Sequence, residues 1–90
     1  MTIDFEKVRQ ALEQFNHLRA PKITAKLISI KGNRVTVDFD GFLLIDVCCI
    51  ADWFDDLRFE MESLLGRRVQ VKSIEVLSPV KHRVVYEAEP

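Results

Sequence analysis

The chain predicts an α+β domain of element order α-β-β-α-β-β, and three observations carry that prediction. Apolar residues recur at helical spacing in two places, residues 4–18 and residues 50–65. Each helical stretch is followed by two segments rich in β-branched residues. Between the first such pair stands Gly32-Asn33, which supplies the positive φ a two-residue hairpin turn needs. Two helix-hairpin units pack most simply as a two-layer sandwich, with a four-stranded antiparallel sheet and two helices on one face.

In the first helix Phe5, Val8, Leu12 and Phe15 form the apolar stripe, with Ala11 and Leu18 beside it and Glu6, Arg9, Gln10 and Glu13 opposite. Thr2 or Asp4 can cap its start, and Ala20-Pro21 ends it, because the residue before proline is pushed out of the α region. Residues 23–30 and 34–40 form the first hairpin. A register pairing Ile30 with Val35 and Ile28 with Val37 puts Ile28, Ile30, Val35, Val37 and Phe39 on the face that meets the helices. The opposite face then carries Thr36 and Asp38 together with Ile23, Ala25 and Leu27.

After Asp40-Gly41 the apolar run Phe42-Leu43-Leu44-Ile45 either finishes a strand or leads into a helix. The second helix starts between Asp46 and Ala51. Its stripe is Ile50, Phe54, Leu57, Met61 and Leu64, flanked by Trp53 and Leu65, and Gly66 is a natural residue to follow its end. Asp52 and Asp55 read as helix-start acids. Residues 69–77 and 83–88 complete the sheet, joined across Ser78-Pro79-Val80-Lys81 by a loop somewhat longer than the first turn. The order also invites a reading as a duplicated helix-hairpin unit. Phe5, Val8, Leu12 and Phe15 then match Phe54, Leu57, Met61 and Leu64, and the strand from Val35 matches the strand from Val84.

Composition narrows the function classes. The sequence has 90 residues, enough for one core and one domain spanning residues 1–90. With 48% hydrophobic and 30% charged residues it is neither disordered nor a membrane protein in type. A net charge of −1 provides no field to steer polyanions. The first residues carry acids where an export signal carries bases, and the longest apolar run, residues 42–51, is interrupted by Asp46 and far below the roughly 20 residues of a membrane span. Adjacent Cys48 and Cys49 make a poor disulfide framework, so a reducing, cytoplasmic setting is expected.

Four groups of residues are candidates for function. Cys48 and Cys49 with His17 and His82 lack metal-ligand spacing, and Asp46 and Asp52 oppose a thiolate at Cys48 or Cys49, so burial is the simpler reading. The acids Asp52, Asp55, Asp56, Glu60 and Glu62 include a pair one helical turn apart, a spacing that a magnesium ion tolerates but that a solvated, dipole-stabilised helix face explains better. Phe59 points away from the second helix's apolar stripe, and with Ile23, Ala25, Leu27, Val69 and Val71 on the second sheet face it is a candidate partner interface. Arg67, Arg68, Lys81 and Arg83 are the candidate phosphate contacts, although no aromatic platform for RNA accompanies them. There is no triad arrangement and no Gly-rich phosphate loop.

The function these features favour is a protein-interaction module that works as a homodimer, with no catalytic activity, cofactor or membrane contact. RNA or nucleotide binding through the basic groups is the first alternative and has weaker support. A metal- or thiol-dependent enzyme centred on Cys48, Cys49 and the nearby aspartates is the second.

Overall fold

The computed structural model describes residues 3–19, 23–41 and 47–89, with residue 19 and residues 47–52 described by their backbone alone. The elements are α1 (Phe5–Arg19), β1 (Thr24–Lys31), β2 (Arg34–Asp40), α2 (Val47–Leu65), β3 (Val69–Ser78) and β4 (Lys81–Ala88). The strands form one antiparallel sheet in the order β1-β2-β4-β3. Helix α1 packs on β1, α2 packs on β3, and the two helices pack on each other, which gives the two-layer arrangement the sequence implies.

Asp4 caps α1: its Oδ1 accepts the Glu6 N–H at 3.0 Å, and its carbonyl accepts the Val8 N–H at 3.2 Å. The buried stripe of α1 is Val8, Ala11, Leu12 and Phe15. Phe5, expected in that stripe, is 53% exposed, so the core-facing run starts one turn later. Helix α2 begins at Val47. Asp55 therefore lies past its first turn and pairs with Arg58 at 3.2 Å, which corrects the expectation of a helix-start role. Phe54, Leu57 and Met61 are buried, and Trp53, Leu64 and Leu65 pack against them. Gly66 closes α2 at φ 68°, donating its N–H to the Glu62 carbonyl at 2.9 Å, an αL cap that glycine adopts without strain.

Gly32 makes the first hairpin turn with φ 62°, and β1 and β2 pair as expected from Lys31↔Arg34 to Ile30↔Val35. Beyond that the register slips: Leu27, not Ile28, faces Val37, because Ile28 is the extra residue of a β-bulge. A second bulge at Lys72 separates Val71↔Tyr86 from Ser73↔Val85 in β3. The second hairpin is as tight as the first, with Ser78 opposite Lys81 and only Pro79-Val80 between them, and a third irregularity at Leu77 precedes it.

The slips reassign the faces. Since side chains alternate with a period of two, one inserted residue moves everything beyond it to the other side. Ala25 and Leu27 share the helix-facing side with Val37 and Phe39, and Val69 and Val71 share it with Tyr86 and Ala88. Ile23, Ala25 and Val69 are buried in the core and Leu27 and Val71 pack against it. The expected half-apolar second face thus does not exist; Ile23, Ala25 and Val69 leave the set of surface candidates, while Leu27 and Val71 lie partly buried on the helix side of the two edge strands. Ile28, expected inside, is 43% exposed.

The strand order places two helix-hairpin units side by side about a two-fold axis normal to the sheet, passing between the facing residues Val37 and Val84. That axis carries Val35, Val37 and Phe39 onto His82, Val84 and Tyr86. The buried helix positions Val8, Ala11 and Phe15 correspond to Phe54, Leu57 and Met61. The match read from periodicity is therefore shifted by three residues in the helices and two in the strands.

Phe39 and Tyr86 hold equivalent central places with different chemistry. Phe39 meets Phe15 edge-on at 5.6 Å and Phe54 at 4.7 Å between ring centroids. Tyr86 donates its hydroxyl to the Phe54 carbonyl at 2.8 Å, tying β4 to α2 through the core. Burial pushes the Tyr86 phenol well above its ordinary pKa and keeps it a donor. Tyr86→Phe removes this bond and leaves the carbonyl its helical partner; a loss of about 1 kcal/mol in urea-unfolding stability is expected.

Candidate functional site

The face of the sheet away from the helices is a lattice of opposed charges. Lys26, Asp38, Arg83 and Glu75 lie opposite one another across the consecutive pairs β1–β2, β2–β4 and β4–β3, alternating in sign over the whole sheet. Arg83 holds Asp38 through two bonds, Nε to Oδ1 at 2.8 Å and Nη2 to Oδ2 at 3.0 Å. Asp38 is only 2% exposed, and the Arg83 hydrogen bonds, helped by the charges of Arg83, Lys81 and Lys26, lower its pKa against the opposing effect of burial. In the next charged row Arg34 meets Glu87 at 2.8 Å and Lys72 stands 3.9 Å from the same carboxylate. Lys81 stands 3.9 Å from Asp40 at the far end.

The candidate phosphate contacts are not brought together. Arg67 and Arg68 adjoin the first residue of β3, whereas Lys81 pairs with the last, roughly 30 Å away along a ten-residue strand. Arg83 is committed to Asp38, and Arg67 donates to the Glu89 carbonyl at 3.4 Å. Cys48, Cys49, Asp46 and Asp52 fall outside the side chains described, as does the run of residues 42–46. Among the described residues no three His, Cys, Asp or Glu side chains group as metal ligands. His82 is 6% exposed, its ring 6.0 Å from that of Phe54, and its Nδ1 has no hydrogen-bond partner among the described residues. The symmetry mate of this imidazole is Val35, so it occupies an apolar position.

A further candidate surface is the outer edge of the sheet. Each edge strand exposes the N–H and C=O groups of alternate residues, and such an edge is a template for another strand. On β1 the exposed groups of Ala25 are closed by one side chain: Asn16 Oδ1 accepts the Ala25 N–H at 2.7 Å and Nδ2 donates to its carbonyl at 2.9 Å. On β3 an ion pair does the same for Val69. Glu62 Oε2 accepts the Val69 N–H at 2.8 Å, and Arg58, 3.2 Å from Glu62, donates to the Val69 carbonyl at 3.4 Å.

That closure stops at Val69. Alternation and the bulge make Val71, Ile74 and Val76 the next residues whose backbone groups face outward, and no hydrogen bond joins those groups to any side chain among the described residues. Their side chains line the same edge. Ile74 and Val76 are 49% and 66% exposed on the helix side of the sheet, and Leu77 and Val80 continue the apolar surface round the hairpin. Phe59 is 55% exposed as its outward position on α2 implies, and its ring lies 4.2 Å from the guanidinium of Arg58, the residue that closes Val69. The aromatic therefore borders the β3 edge. Ile74, Val76, Leu77 and Val80 were not among the sequence candidates; the signal for them is the adjacent polar pair Lys72-Ser73, which breaks the alternation of Val69, Val71, Ile74 and Val76.

No protein-family model matches this chain, and a search of curated proteins finds no match to it.

The Asp38–Arg83 pair has a measurable pH signature. Asp38 holds its proton more weakly when folded, so the stability it contributes is present above the ordinary carboxylate range near about pH 4 and is lost as pH falls through the lowered value. In urea titrations, stability of the wild type falls below about pH 4 more steeply than that of Asp38→Asn. Arg83→Ala, which strands the carboxylate, costs about 2 kcal/mol at neutral pH.

Proposed function

We propose that this chain is a non-catalytic protein-interaction module that works as a homodimer in a reducing, cytoplasmic setting, docking through the outer edge of β3. One observation carries the reading. Large apolar side chains gather on one open strand edge and on the neighbouring Phe59, while the broad sheet face is occupied by charges that satisfy each other. An edge of this kind gives a partner both backbone hydrogen bonds and apolar surface to bury.

A second copy suits this edge because the opposite edge carries features that hinder strand addition. Strand β1 has Asn16 over Ala25, a bulge at Ile28, and exposed Lys26 and Lys31. A molecule with one adhesive edge pairs once and stops, which is the closed two-fold assembly most common among soluble proteins. The basic groups support binding of RNA less well, since Arg83 and Lys81 face carboxylates and Arg67 and Arg68 stand at the other end of β3.

Light scattering over roughly 1 to 500 micromolar protein tests this proposal, the range covering the usual span of weak to firm dimers. The wild type is expected to shift from monomer to dimer across it. Val76→Lys, at a position 66% exposed and so harmless to the fold, is expected to remain a monomer with an unchanged circular dichroism spectrum. A wild type that stays monomeric throughout ends the homodimer reading.

A further inference from the structure

The β3 edge is self-complementary about Ile74, and we infer that two copies join there antiparallel about a two-fold axis at that residue, making a continuous eight-stranded sheet. The inference rests on the homodimer reading above and specifies its geometry. Opposite residues of two antiparallel strands must lie on the same face, so a two-fold axis normal to the sheet passes through one residue of β3 and its copy. With Ile74 on the axis, Ile74 faces Ile74 of the second copy. Its outward N–H and C=O are then exchanged with those of the same residue.

The bulge at Lys72 sets the pairing on either side of the axis. Ser73 lies opposite Val85, Ile74 opposite Val84 and Glu75 opposite Arg83, while Lys72 is the inserted residue next to Ser73. One step from the axis, Glu75 therefore meets the Lys72–Ser73 bulge of the second copy, and carboxylate faces ammonium twice. One step further Val76 meets Val71, again twice, and both have outward backbone groups to exchange. The charge row continues in sign: Lys26, Asp38, Arg83 and Glu75 alternate across one sheet, and Lys72 of the second copy is the cation that alternation requires next.

The ends fit as well. The next outward residue, Val69, has its groups taken by Glu62 and Arg58, and the approaching strand turns at that level through Pro79, which has no N–H to offer. Phe59, bordering Arg58, is placed at the level reached by Leu77 and Val80 of the second copy. An axis at Glu75 would set two carboxylates face to face, and an axis at Val76 would set Glu75 against Leu77, so neither alternative matches charge to charge.

The test is a charge exchange read by dimer dissociation constants. Glu75→Lys and Lys72→Glu are each expected to weaken the dimer about tenfold, since each turns two attractions into two repulsions of modest surface strength, and the double exchange to restore it to within about twofold. Amide exchange supplies a second readout on the unmodified protein: the amides of Val71, Ile74 and Val76 slow at high protein concentration, and those of Ala25 and Leu27 on β1 do not. A dimer indifferent to both charge reversals, or a double exchange that fails to restore it, overturns the Ile74 register while leaving the homodimer intact. A chain that never dimerises overturns both.

Discussion

A sheet covered by helices on one side must send its apolar side chains to that side, and with a period of two a single inserted residue reverses the assignment for the rest of a strand. Both edge strands here contain such an insertion, at Ile28 and at Lys72. The core, the charged face and the open edge all depend on these two residues. Without them, Ala25 and Leu27 could not join Val35, Val37 and Phe39 over the helices while Ile30 still faced Val35. Because the bulges lie in the outer strands, the inner pair β2–β4 keeps an unbroken register from Arg34↔Glu87 to Asp40↔Lys81 and carries the strongest contacts on both faces.

The element order and the layer arrangement were legible in the sequence because they depend on local signals. Helical spacing, Gly32-Asn33, Gly66 and the β-branched runs each act over a few residues. The face assignment was not, because a bulge is decided by what the neighbouring strand offers, and alternation alone extrapolates straight through it. The outward position of Phe59 was legible from helical geometry, since 3.6 residues per turn admits no comparable slip in a short helix. Ile74 and Val76 were missed for the converse reason: in a strand they read as ordinary core residues, and nothing local in β3 marks them as exposed. The basic groups were separated by strand length, which composition does not carry.

The two halves show how far a repeated architecture can diverge in its polar fittings. Equivalent buried helix positions are Val8 and Phe54, Ala11 and Leu57, Phe15 and Met61, so bulk is exchanged between the units as if each compensated for the other. Phe39 contributes aromatic contact where Tyr86 contributes a hydrogen bond as well. Asn33 makes the joint between the halves explicit: its carbonyl accepts the Ala88 N–H at 2.8 Å and its side chain donates to the Ala88 carbonyl at 2.9 Å, holding the end of β4 to the first hairpin.

Asn16 bears on what the β1 edge can bind as well as on how α1 sits against it. It is a neutral amide that mimics one residue of an absent strand, and while it occupies Ala25 a chain added at the β1 edge has no bonds to make with that residue. A unit with one joining end makes pairs; a unit with two makes chains of unlimited length. A single carboxamide on α1 thus removes one rung from the edge at which the sheet would otherwise offer a second joining end.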